Sequence, residues 1–177
     1  MLVLTDLSAR IAGRLLIDHA SVTLPEGTKA GFVGRNGAGK STLFRIITGE
    51  LSPETGSVKI PRNCRMGQVA QEAPGTEEPL IEIVLKADTE RMSLMQEAET
   101  ATDPHRIADI QTRLTDIDAH SAEARAASIL SGLGFDNDAQ QRPASSFSGG
   151  WRMRVALAAV LFSQPDLLLL DEPTNYL

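Results

Sequence analysis

The segment Gly34-Arg35-Asn36-Gly37-Ala38-Gly39-Lys40-Ser41 constrains what this chain can fold into more than any other stretch. It fits the pattern G-x-x-x-x-G-K-[ST], and its flanks have the matching character. The apolar run Ala30–Val33 before it is predicted to be a strand. After it, Leu43, Ile46 and Ile47 fall on one side of a helix predicted over Ser41–Thr48, with Gly49 at the C-terminal cap position. Glycines let the loop curl until successive N–H groups point inward, and the helix start adds a positive dipole end. Such a concavity suits phosphate. Gly34, Arg35, Asn36, Gly37, Ala38 and Gly39 would cradle the oxygens, and Lys40 would set a point charge against the β- and γ-phosphates. The Ser41 hydroxyl would ligate Mg²⁺, with Thr42 beside it. The plain alternative is a glycine-rich turn, and the strand–loop–helix context weighs against it.

The chain has 177 residues, which is one domain's worth. With 42% hydrophobic and 23% charged residues it has ordinary globular usage, which excludes disordered and fibrous classes. No apolar run approaches the length of a membrane span, and no secretory leader pattern is read at the start. Cys64 is the only cysteine, so neither an internal disulfide nor a cysteine-based zinc site is expected, and a cytoplasmic setting fits best. The net charge of −6 marks the whole chain as no obvious nucleic-acid binder.

Around the loop the first sixty residues read as strands: Met1–Leu4, Leu15–Leu24, Ser57–Ile60 and Cys64–Val69. From Pro79 to about Leu133 the pattern is helical. One helix is expected from Pro79 to about Ala98. A second is capped by Asp103 with Pro104 at its first position, its stripe formed by Ile107, Ile110, Leu114 and Ile117. The two make an antiparallel hairpin in which Met92 and Met95 are expected to pack. A third helix runs from about Ser121 to Gly134.

Two further signals follow. Leu167–Leu170 reads as a buried strand that sets Asp171 and Glu172 at its C-terminal end, where open α/β sheets bind ligands. Asp171 would hold Mg²⁺, directly or through water, and Glu172 would act as general base on the attacking water. A solvated acidic turn is the alternative for the pair taken alone. Upstream, Ser148-Gly149-Gly150 opens a helix that Pro165 ends. Ser148 can cap it, and the two glycines leave bare N–H groups for a second anion; an ordinary capped helix would look the same.

The three signals in this order resemble the ATP-binding cassette (ABC) ATPases, over essentially the whole chain. The resemblance implies an α/β P-loop NTPase fold of the ABC type: a mixed sheet with an inserted helical subdomain and a helical-hairpin arm. It implies ATP and Mg²⁺ as ligands. It also implies that Ser148, Gly149 and Gly150 cap the γ-phosphate bound by a second, facing cassette. Gln71 matches the family's Q-loop glutamine, which contacts Mg²⁺ and the attacking water; Gln68 competes, and the following Glu72-Ala73-Pro74 favours Gln71.

Phe147-Ser148-Gly149-Gly150-Trp151-Arg152-Met153-Arg154 and Pro173-Thr174-Asn175 resemble the ABC-F subfamily, paired-cassette proteins that act on ribosomes. The long stretch between Gln71 and Ser148 resembles the arm that such proteins carry, here residues 78–120. Glu77–His120 holds eleven acidic and four basic residues, which argues against the arm gripping RNA phosphates. The resemblance implies an ATPase acting on the ribosome, without membrane insertion. The other readings are the ATP-binding subunit of a membrane transporter and a regulatory cassette that clamps ATP without turnover. Ala9-Arg10-Ile11-Ala12-Gly13 lacks the aromatic on which many cassettes stack adenine, so contact would be aliphatic or through Arg10. Tyr176 stands where the subfamily usually has histidine, and the family's switch histidine would fall after Leu177. The expectation is therefore a single cassette over 1–177, incomplete at its C-terminal side. It would be a piece of a longer protein and would not turn over ATP at a useful rate alone.

Overall fold

Apolar and β-branched residues at the start of the chain build a long antiparallel hairpin in the computed structural model, which describes residues 1–69 and 74–171. Strand β1 (Leu2–Ile11) lies between β2 (Arg14–Leu24) and β3 (Thr55–Lys59), antiparallel to both. The register pairs Leu4 with Val22 and with Val58. It slips between Leu4 and Leu7, and Asp6 and His19 adopt positive φ, at 50° and 44°. Serines on the opposing strands take up the loose donors. The Asp6 N–H donates to Ser21 Oγ at 2.9 Å and the His19 N–H to Ser8 Oγ at 3.0 Å. Gly56 in β3 sits at φ 82° against β1, where a Cβ would come within 2.4 Å of the Thr5 and Asp6 carbonyl oxygens, so only glycine fits.

Helix α1 (Lys40–Ile47) packs on this sheet. Ile46 joins Leu7, Ala9 and Ile17 in a small core, with Leu43 and Leu51 at its margin. These elements belong to one of two units in the chain, Met1–Met66; the other is Gly67–Leu177.

The second unit is helical, and its strand β5 (Leu167–Leu169) pairs with β4 (Met66–Gln68), of which Gly67 and Gln68 belong to this unit. Its core is made by α2 (Leu80–Leu85), α5 (Ala122–Gly132) and α7 (Gly149–Phe162). Leu80 and Val84 meet Ala126 and Leu130, with Phe135, Val155 and Phe162 completing the cluster. Short α6 (Asn137–Gln140) is held by Gln140, whose buried amide donates toward the carbonyls of Ala127 and Phe135 and the Ser131 hydroxyl.

The single helix expected from Pro79 to Ala98 is two helices. Asp88 accepts a bond from the Arg91 N–H at 3.0 Å and so caps a new helix, α3 (Thr89–Thr100), in place of continuing α2. α4 (Pro104–Asp116) begins as expected, with Asp103 accepting from the His105 N–H. Ion pairs Arg106–Glu97 and Arg113–Glu90, each at 2.6 Å, tie α3 to α4 near the turn and farther from it, as an antiparallel hairpin requires. The bonds from Arg106 hold the Glu97 carboxyl below its usual range. Ile110 and Leu114 are buried, but Ile107 is exposed, and so are Met92 and Met95, at 38% and 43%. The methionines are therefore not buried in the hairpin as expected; no side chain of α3 is fully buried, Leu94 and Ala98 are half-buried, and the two ion pairs tie the helix to α4.

Candidate functional site

Gly39 is the residue on which the glycine-rich loop turns into a helix. It caps α1 with φ 101°, a left-handed conformation, and a Cβ there would press on Leu16 of β2 at 3.2 Å. Its carbonyl accepts the Leu43 N–H at 2.9 Å. The loop curls through Ala38 N–H to Arg35 O at 3.0 Å. The Lys40 ammonium folds back over the loop, donating to Gly34 O at 2.9 Å and more weakly to Arg35 O at 3.4 Å. No acidic residue stands in the first turn of α1, so nothing there repels an anion. Gly34, Arg35, Asn36, Gly37 and Ala38 are exposed, as is Ser41, while Lys40 and Thr42 are half-buried. The donor set and its openness fit a phosphate chain.

The strand expected at Ala30–Val33 is not formed among the described residues: Phe32 and Val33 are 52% and 94% exposed. An apolar run becomes a strand only where a neighbour takes its hydrogen bonds, and the sheet of its unit ends at β2 and β3. Arg10, considered for adenine, is instead paired with Glu54 at 3.1 Å. Cys64 lies in a turn, its N–H on Pro61 O, and not in the strand expected around it.

In the second unit Ser148 occupies the N-cap of α7, with φ −67° and ψ 164°, but its hydroxyl makes no capping bond. The start of the helix is secured instead by Arg152, whose N–H bonds Ser148 O at 3.0 Å and whose Nη1 donates to Phe147 O at 2.9 Å. Ser148 and Gly150 are exposed and Gly149 is half-buried, an arrangement that leaves the helix start open to a partner's anion. Asp171 follows β5 and is half-buried; of the leucines before it only Leu169 is fully buried. Gln71 and Glu172 lie outside the described residues, as do Pro173, Thr174, Asn175 and Tyr176. The loop residues are thus assembled within Met1–Met66, and the Ser148 helix and Asp171 belong to Gly67–Leu177.

One group at this end escaped the sequence reading. Arg142 lies over Phe147, its guanidinium carbon 4.7 Å from the ring centroid. The signal was an arginine before Pro143 just upstream of Phe147-Ser148.

The sequence pattern of the family described as ABC transporter matches residues 17–175. YheS of Escherichia coli (strain K12), whose name describes it as an ATP-binding protein, is 45% identical over the whole of this chain, which covers 28% of that protein. The human ATP-binding cassette sub-family F member 3 is 42% identical over 93% of this chain and 24% of its own length. The chain therefore spans about a quarter of these relatives. Among solved structures, the dimeric ATP-binding cassette MJ0796, bound to ADP and Pi, aligns with 98% of this chain and 75% of its own. That likeness has a TM-score of 0.63 at 21% identity and shows the fold, an α/β P-loop NTPase of the cassette type. Among the described residues no helix is long and apolar enough to cross a membrane.

Proposed function

This chain belongs to the ABC transporter family, and from that membership we propose that it is one ATP-binding cassette of a sub-family F protein that hydrolyses ATP with Mg²⁺ and acts on the ribosome in the cytoplasm. The observation that carries the reading is the Gly34–Ser41 loop, with Lys40 already gathered over it at the start of α1.

In this reading the loop N–H groups hold the phosphates, and the Lys40 ammonium moves from the Gly34 and Arg35 carbonyls to the β- and γ-oxygens. Ser41, Gln71 and Asp171 are the residues that would hold Mg²⁺. When bound, the ion draws charge from the phosphate oxygens. Glu172 takes the proton of the attacking water, which Gln71 helps to orient. Ser148, Gly149 and Gly150 close on the γ-phosphate of a second cassette, carried in the same longer protein or by a second copy. The free Ser148 hydroxyl supports that role.

Work on the ribosome is supported by the kinship with sub-family F proteins and by the α3–α4 hairpin lying between Gln71 and Ser148. The acidic balance of Glu77–His120 favours protein contacts over RNA phosphates.

The test uses the protein that carries this cassette. Lys40→Ala should weaken ATP binding. Glu172→Gln should bind ATP, slow hydrolysis by about 10²–10⁴-fold and co-sediment with ribosomes when ATP is present. Recovery of the Glu172→Gln protein with an integral membrane protein, and not with ribosomes, would favour a transporter subunit instead.

A further inference from the structure

Just ahead of α7 the surface carries an open cavity of about 470 Å³, with Phe135, Arg142, Ser146, Phe147, Ser148 and Trp151 in its lining. Its apolar side is aromatic. The Phe135 ring meets Phe147 edge-on at 5.7 Å between centroids and Trp151 at 5.1 Å. Phe135 itself is buried, so this cluster is anchored in the core of the unit. Over Phe147 lies the exposed Arg142 guanidinium, 4.7 Å from the ring centroid, with Nη2 donating to Ser146 Oγ at 3.2 Å. An arginine fixed over a ring is a planar platform with spare donors at its edge, suited to a flat aromatic heterocycle.

We propose that this cavity receives the adenine ring of the nucleotide held by the facing cassette, stacked on Arg142 with Phe147 behind it. This deepens the paired-cassette reading and rests on it. Ser148 lines the cavity and also stands at the open start of α7, so one nucleotide can reach both places, its triphosphate toward the helix and its base toward Arg142. The same chain has no aromatic residue among Ala9–Gly13, and its Arg10 is engaged by Glu54. A base held by one copy thus meets no ring at Ala9–Gly13, and the facing copy supplies a stacking surface.

The test is association of the 177-residue chain, followed by sedimentation velocity with Mg²⁺ and either ATP or inorganic tripolyphosphate. Tripolyphosphate fills the phosphate sites and leaves the base cavity empty. ATP should promote association better than tripolyphosphate by about tenfold for each stacked base, and so by about a hundredfold for a pair that holds two. Arg142→Ala should erase that advantage while association with tripolyphosphate persists. Arg142→Lys, which keeps the charge and loses the plane, should recover little of it. Ser148→Arg should abolish association with both compounds.

The outcomes separate. If Ser148→Arg abolishes association but Arg142→Ala keeps the ATP advantage, the base cavity is wrong and the paired reading stands. If Arg142→Ala weakens both compounds equally, Arg142 serves the fold or the contact between copies, and the proposal is overturned. If neither compound drives association, or Ser148→Arg has no effect, pairing between copies of this chain fails and the proposal with it.

Discussion

Most of the chemistry proposed for this chain depends on a few side chains whose positions are set by backbone conformations that few residues tolerate. Gly39 at φ 101° brings Lys40 over the loop, and Gly56 at φ 82° lets β3 lie against β1. His19 is a less obvious case. It sits at a bulge in β2 with Nδ1 2.7 Å from Asp6 Oδ1, across from the matching bulge in β1. The hydrogen bond to Asp6, then the charges of Asp6 and Asp18, raise the His19 pKa above its ordinary 6.5. A raised folded-state value means that the pair's stabilisation is fully present below the unfolded pKa and is lost as pH rises through the folded one. Because the pair is exposed, its contribution is small. His19→Gln should therefore lower the melting temperature slightly in mildly acidic buffer and leave it unchanged in alkaline buffer. An NMR titration of the wild-type ring should find a midpoint above 6.5.

The helices divide into two kinds, one held by packing and one by charge, and their response to substitution should divide the same way. Leu130 of α5 is completely buried among α2 and α7. Leu130→Ala should cost about 2–5 kcal/mol in urea unfolding, because it removes contacts and leaves a cavity. Met95→Ala on α3 should stay within about 0.5 kcal/mol, as an exposed substitution does. The sequence made one kind legible and not the other. The stripe through Ile110 and Leu114 marked the buried side of α4, and Asp103-Pro104 marked its start. The split between α2 and α3 was harder to see, because Asp88 reads equally well as a surface residue within a helix or as the cap of a new one. The Ala30–Val33 expectation failed for a related reason: strand formation depends on neighbours that local sequence does not name. The Gly34–Ser41 loop was legible because its backbone geometry demands particular residues at fixed spacing. Arg142 was not, because its role depends on a ring five residues away and on how the chain folds between them.

For the molecule as a whole, the division into Met1–Met66 and Gly67–Leu177 separates the phosphate loop from the helical hairpin. Removing the hairpin should therefore spare nucleotide binding. The expected arm of residues 78–120 is too wide for the experiment, because it includes α2, whose Leu80 and Val84 belong to the core of the second unit. Excising Thr89–Asp116 and bridging the gap with a short flexible linker should leave ATP affinity within about threefold, less than one hydrogen bond's worth. In the protein that carries this cassette, the same excision should reduce ribosome co-sedimentation. Equilibrium nucleotide binding and sedimentation of the two variants check both outcomes. A helix with no fully buried side chain is under little pressure to keep its exposed ones, apart from the glutamates that meet Arg106 and Arg113. Over evolutionary time its outer face and tip can drift, lengthen or shorten while the buried framework beneath stays fixed. A gene duplicated from one ancestor can in this way change its outer contacts at a few exposed positions of α3 and leave the buried framework untouched.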